Sequence, residues 1–177
     1  MSKGYGQRTR YNGMSFDSYL DAVWAKFFNE CGWPWEYKPI AIGGYYPSFI
    51  LGFPEPALVS VQPALWEADP HHIQTMFGCE VSPSWGYQDI LLVGSRIIDR
   101  FNDGQALGRL GEYTGHTVVW SDAEPTICKQ CGVMSYRSIE NYHLSKACLH
   151  ETYDPDMIMA FDAKVMMMPQ YAYLGGS

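Results

Sequence analysis

Residues 15–32 read SFDSYLDAVWAKFFNECG, with apolar side chains at 16, 19, 20, 23, 24, 27, 28 and 31. Recurrence at i, i+3, i+4 and i+7 places these residues on one face of an α-helix, and such a face must be buried against other elements. Ser15 is a suitable N-cap and Gly32 a suitable stop. Asp17 and Asp21 lie one turn apart at the edge of the stripe, which suits a solvated helix edge better than a metal pair.

Short strands follow. The segments 35–40 (WEYKPI), 48–53 (SFILGF) and 57–62 (ALVSVQ) carry β-type residues, with Gly43–Gly44 as a turn and Pro54 and Pro56 as breakers. In the last of them Leu58, Ser60 and Gln62 share one face and Val59 and Val61 the other, because side chains alternate along a strand. Pro70 interrupts residues 64–78, so a second helix is expected to start near Asp69, with Asp69 as N-cap and Pro70 at its first position. The apolar run at 89–95 predicts a buried strand. Residues 97–115 read as loop with a short helix, and 116–121 as a further strand.

From residue 125 onward the texture changes. Cys128 and Cys131 form C-x2-C followed by Gly132, and His143 and Cys148 follow after 11 and 4 intervening residues. The pattern C-x2-C-x11-H-x4-C resembles Cys₂HisCys zinc fingers, with His150 able to replace Cys148 or His143. A redox pair or buried spectator thiols are the alternatives; a redox pair is expected at a helix N-terminus after a strand, which this context does not offer. Four protein ligands leave no open position for water, so the expected Zn²⁺ is structural. Such an ion contributes folding energy to a module too small for its own core. Cys31 and Cys79 read as buried thiols.

Charge bears on partners. The net charge is −7; the first ten residues hold Lys3, Arg8 and Arg10 and no acid, whereas residues 39–95 hold no Lys or Arg. Contact with phosphates needs cations, and this middle stretch supplies none. No apolar run approaches the ~18 residues that span a bilayer. The N-terminus lacks the apolar core of a secretory signal. The expectation is a cytoplasmic protein without membrane contact, whose five cysteines are thiols and metal ligands.

The motifs SYLDAVWAKFF (18–28), WEYKP (35–39), YYPSF (45–49) and SVQP (60–63), together with ILLVG (90–94) and Trp120 ahead of the C-x2-C, resemble in order and spacing a branch of the PD-(D/E)XK, or restriction-endonuclease-like, nuclease superfamily. Members of that branch carry acids at two strand positions, a lysine two residues after the second, and an acid on the first helix; the acids hold a divalent metal and the lysine steadies the charge that develops at the phosphate. Matched residue by residue, the helix acid is Asp21, the first strand acid is Ser48, the second is Ser60 and the lysine is Gln62. Three of the four have lost their charge. Mg²⁺ needs hard anionic oxygens, which serine hydroxyls and one amide do not supply. A migrated acid could restore a site; Glu36, Glu55, Glu67 and Asp69 are candidates, with Glu67 the best placed.

The resemblance implies an α/β (α+β) restriction-endonuclease-like core, a mixed central sheet flanked by helices, with a small C-terminal zinc finger. The division expected is a basic arm at 1–13, a core at 14–122, a zinc module at 123–152 and a Met- and Tyr-rich tail at 153–177 packing on the core or on a partner. The function expected is that of a catalytically inactive, nuclease-like phage or mobile-element factor. It would bind and modulate a host protein machine that processes nucleic acid. The alternatives are a nuclease using Mg²⁺ and a migrated acid, or a zinc-finger protein binding DNA or RNA through Arg8, Arg10, Lys129, Arg137 and Lys146.

Overall fold

The computed structural model describes residues 6–39, 41, 46–63, 89–95, 98–100, 104–113, 118–138, 144–145, 147–150 and 153–154. Within them the fold is a mixed α+β structure, one helix packed on a twisted sheet of nine strands.

The first strands among the described residues form a hairpin, β1 (Thr9–Tyr11) and β2 (Met14–Phe16), where a free arm was expected over 1–13. Its turn is Asn12–Gly13, with φ of 49° and 80°. Two consecutive positive φ values define the tight turn that suits the twist of paired strands, and Asn-Gly is its preferred sequence. The hairpin displaces the helix start. Helix α1 spans Tyr19–Glu30 and is capped by Ser18, not Ser15: Ser18 is extended and its side chain accepts a 2.9 Å bond from the N–H of Asp21. Gly32 ends the helix at φ +69°, a left-handed conformation that lets the Trp33 N–H return to the Phe28 carbonyl.

Strands β3 (Trp35–Tyr37), β4 (Phe49–Leu51) and β5 (Ala57–Val61) pair antiparallel in sequence order. Strand β6 (Asp89–Val93) then runs parallel to β5. The segment expected as loop and short helix is instead extended: β7 (Ile98–Arg100), β8 (Gly104–Ala106) and β9 (Arg109–Tyr113), with β9 antiparallel to β6. Its glycines explain the difference. A Cβ on Gly108 would lie 1.9 Å from the Leu92 carbonyl oxygen, and one on Gly111 would lie 2.7 Å from the Trp120 ring. Glycine here permits close strand approach and is not loop flexibility.

Strand β10 (Val118–Cys128) is 11 residues long and joins the two halves of the sheet. Its first half, Val118–Asp122, pairs with β9, and its second, Ala123–Ile127, with β11 (Met134–Ser138). Strands β12 (Leu144–Ser145) and β13 (Tyr153–Asp154) pair with β11 and β10. The Cys-rich module is therefore not a free-standing finger. It continues the sheet and shares the core.

That core lies under α1. Leu20, Trp24, Phe27 and Phe28 pack against Phe49, Leu51, Val59 and Leu91. Each fully buried side chain of this size contributes ~1.5–3 kcal/mol. Leu58, Ile90 and Leu92, on the opposite face, are equally buried, as the continuous apolar run of β6 requires. Trp33 carries the core into the module: its Nε1 donates 2.7 Å to the Met134 carbonyl and its ring meets that of Tyr136 at 5.8 Å. Cys31 is buried beside them. No helix among the described residues is long and apolar enough to cross a membrane. The second helix expected from about Asp69, within 64–78, and the tail from 155 onward lie outside the described residues.

Candidate metal centre and the polar pocket

Cys128 ends β10, and residues 129–132 turn the chain into β11. The turn closes through bonds from the Cys128 N–H to the Val133 carbonyl (2.9 Å) and from the Gly132 N–H to the Cys128 carbonyl (2.8 Å). Gly132 has φ +71°, which a Cβ would strain. The backbone N–H groups of Cys131 and Gln130 are directed at the Cys128 sulfur, and that of Val133 at the Cys131 sulfur. The returning loop is tied to β11 by the Ala147 N–H, 3.2 Å from Ser135 Oγ, and it delivers Cys148 and His150 to the same place.

Donor atoms of Cys128, Cys131, Cys148 and His150 all lie within 4.8 Å of one another. Cys128 Sγ and His150 Nδ1 are 3.6 Å apart. Tetrahedral bonds of about 2.3 Å to sulfur and 2.0–2.1 Å to nitrogen separate those two atoms by about 3.5 Å. The group could therefore hold a metal ion, and three sulfurs with one imidazole suit zinc. Burial raises the Cys128 thiol, but donors from Cys131 and Gln130 outweigh it and hold the thiol below its ordinary range. The Val133 N–H favours the Cys131 thiolate, yet burial and the sulfurs of Cys128 and Cys148 raise it overall. Cys148 and His150 both belong to the cluster, so His150 complements Cys148 and does not replace it. His143, the other expected ligand, lies outside the described residues.

The second site gathers Asp21 from α1, Lys38 after β3, Ser48 before β4, and Ser60 and Gln62 at the end of β5. They line an open pocket of ≈330 Å³ together with Tyr46, which is 65% exposed. Asp21 is only 7% exposed. Burial raises its carboxyl above the usual range, against the stabilising bonds of Ser18 and of the Tyr37 hydroxyl, which donates 3.0 Å to Oδ2. Burial likewise raises the Tyr37 phenol. Ser48 Oγ accepts the Val61 N–H at 3.1 Å, and Ser60 Oγ accepts from Gln62 Nε2 at 2.8 Å. Lys38 is ion-paired with Asp17, whose carboxyl the bond and charge of Lys38 hold low. Among the described residues the pocket contains one carboxylate, which does not suit Mg²⁺. Glu67 lies outside them; Glu36 and Glu55 are exposed and do not line the pocket.

The expected nucleic-acid contacts are scattered. Arg137 is committed to Glu124 across β10 and β11, through Nε at 2.7 Å and Nη2 at 2.6 Å. Lys129 is exposed on the metal turn, and Lys146 lies outside the described residues. Arg8 and Arg10 come with the β1 hairpin and line a separate hollow beside Asp17. Sequence reasoning marked Tyr37 and Lys38 only as part of the WEYKP motif and missed them as neighbours of Asp21. No protein-family model, no curated protein and no solved structure matches the chain significantly.

Proposed function

We propose that this chain is a catalytically silent, nuclease-like binding protein whose distal end is clamped by a structural zinc ion. One observation carries the reading. Asp21, Ser48, Ser60 and Gln62, the positions matched by motif to two strand acids, a lysine and a helix acid, line one pocket although they come from separate elements. The mixed sheet, with β3–β4–β5 antiparallel and β6 parallel to β5, supports a restriction-endonuclease-like core. The pocket keeps the arrangement and lacks the chemistry. Cleavage of a phosphodiester would need a metal held by more than Asp21, and a cation where Gln62 presents an amide.

Zinc is the metal this donor set favours, and four protein ligands make it structural. The partner we infer is a protein of a nucleic-acid-processing machine, of the kind a phage or mobile element would target in the cytoplasm. The net charge of −7 and the engagement of Arg137 by Glu124 disfavour grip on a long phosphate backbone. Nucleic acid is the second reading, favoured by Arg8 and Arg10 beside the pocket.

The test is incubation of the purified protein with DNA and RNA in Mg²⁺ and in Mn²⁺. No cleavage is expected; cleavage that disappears in Asp21→Ala overturns the reading. Affinity capture from a bacterial lysate, with and without added nuclease, separates the partners. A stoichiometric protein that survives nuclease treatment supports the first, and recovery of nucleic acid with steep salt dependence supports the second.

A further inference from the structure

The polar pocket has a neighbour of opposite character. Arg8 and Arg10 line a second hollow of ≈330 Å³ together with Ser15 and Asp17. The seam between the two is the Asp17–Lys38 ion pair, since Asp17 lines the basic hollow and Lys38 the polar pocket. The polar pocket offers hydroxyls, an amide, the buried Asp21 carboxyl and the Lys38 ammonium that pairs with Asp17. The hollow beside it offers two guanidinium groups and one carboxylate, that of Asp17, which Lys38 neutralises.

The polar groups retain bonding capacity. Ser48 and Ser60 each use Oγ to accept, and among the described residues neither hydroxyl proton is given to an acceptor. The Gln62 amide donates to Ser60 and keeps its carbonyl for a donor. Hydroxyls and an amide side by side, with one acid and one cation that offset each other, suit the edge of a planar heterocycle. Tyr46 also lines the pocket and is 65% exposed, so its ring is open to a ligand. Such faces stack nucleobases with little regard to sequence. Guanidinium groups in the adjoining hollow match a phosphate. The size is at the lower end of small-molecule sites, about 300–1,000 Å³.

We infer that the two hollows together receive one nucleotide. The base enters the polar pocket against Tyr46, with its edge toward Ser48, Ser60 and Gln62. The phosphate lies on Arg8 and Arg10. A single nucleotide requires cations only at one point, so the overall charge of −7 does not oppose it. This names the ligand of the site proposed above to be silent, and it rests on that reading. The nucleotide is either free or an unpaired unit of a strand; the recognition chemistry is the same.

The experiment is calorimetric titration of the full-length, zinc-loaded protein, without Mg²⁺. The probes are the four nucleoside 5′-monophosphates, the matching nucleosides, inorganic phosphate and a short single-stranded oligonucleotide. At least one monophosphate is expected to bind about tenfold or more tighter than either its nucleoside or inorganic phosphate. Tyr46→Ala, at an exposed position, should weaken monophosphate and nucleoside alike by about 5- to 100-fold. Arg8→Ala with Arg10→Ala should reduce the monophosphate to the affinity of the nucleoside and leave the nucleoside unchanged. Preference for the free monophosphate or for the oligonucleotide identifies the source, and either supports the site. Binding of monophosphate no tighter than inorganic phosphate, no binding at millimolar concentration, or indifference to Tyr46→Ala overturns it. Cleavage of the oligonucleotide on adding Mg²⁺ would instead overturn the silent reading, so the two failures are separable.

Discussion

Replacing Trp33 with phenylalanine removes one donor at the junction of core and metal module. Trp33 is 2% exposed, and its Nε1 donates to the Met134 carbonyl at 2.7 Å. Its ring stacks on Phe28 at 5.8 Å and meets Phe53 edge-on at 5.3 Å, contacts a phenylalanine ring largely keeps. What is lost is the partner of a carbonyl on a residue only 9% exposed. A buried polar group left unsatisfied costs ~1–3 kcal/mol. The missing ring volume adds about 1 kcal/mol. A total of about 2–4 kcal/mol lowers Tm by about 4–16 °C in a chain of this size, at roughly 2–4 °C per kcal/mol. The assay is scanning calorimetry of the zinc-loaded wild-type and variant proteins, with zinc affinity read in parallel by chelator competition. Met134 opens β11 directly after the ligand turn, so zinc affinity should fall with Tm. A Tm within about 1 °C of wild type would refute the reasoning, because a difference of 2 kcal/mol is well above that limit. So would a wild-type protein whose module melts separately from its core.

Loss of the metal tests the ligand set. His150→Ala should bring zinc content below about half an equivalent and His143→Ala should leave about one, by elemental analysis, and zinc at a thousandfold over its Kd should stabilise the wild type by about 4 kcal/mol. Gly111→Ala should cost ~1–3 kcal/mol in chemical denaturation, as the Trp120 ring is displaced. Gly108→Ala should cost more, because its Cβ meets the Leu92 carbonyl and backbone cannot swing aside. Asp21 has its carboxyl raised above 3.8 by burial, so the folded protein binds that proton more tightly than the unfolded chain. Ionisation therefore costs stability, by an amount absent below 3.8 and complete above the raised folded value. Asp21→Asn should be more stable than wild type at about pH 7, with the difference shrinking toward about pH 3; an advantage that grows on acidification would contradict the burial argument.

Helix α1 was legible because its signal is local: six of the eight apolar residues at helical spacing fall within it and can be counted without knowing what they touch. Strands β4, β5 and β6 were legible for the same reason, through short apolar runs between breakers. The Asn12–Gly13 hairpin carried a local signal too, but the basic character of the first residues concealed it. The stretch 97–115 misled because glycine has two meanings. In isolation Gly108 and Gly111 weaken any regular element, and only neighbouring Leu92 and Trp120 reveal that they admit a close strand.

The division holds at both sites. Residue types at C-x2-C spacing determined that a soft metal ion is the ligand to expect, since thiolate chemistry travels with the side chain. Ser48, Ser60 and Gln62 determined that those positions carry no charge, for the same reason. Tertiary structure decided who else is present. It placed Cys148 and His150 together beside Cys128, committed Arg137 to Glu124, and set Lys38 and the hairpin arginines beside the polar pocket. Those juxtapositions depend on strand register and chain return over tens of residues. They are settled by the burial of α1 and the continuation of β10, which spacing along the chain does not encode.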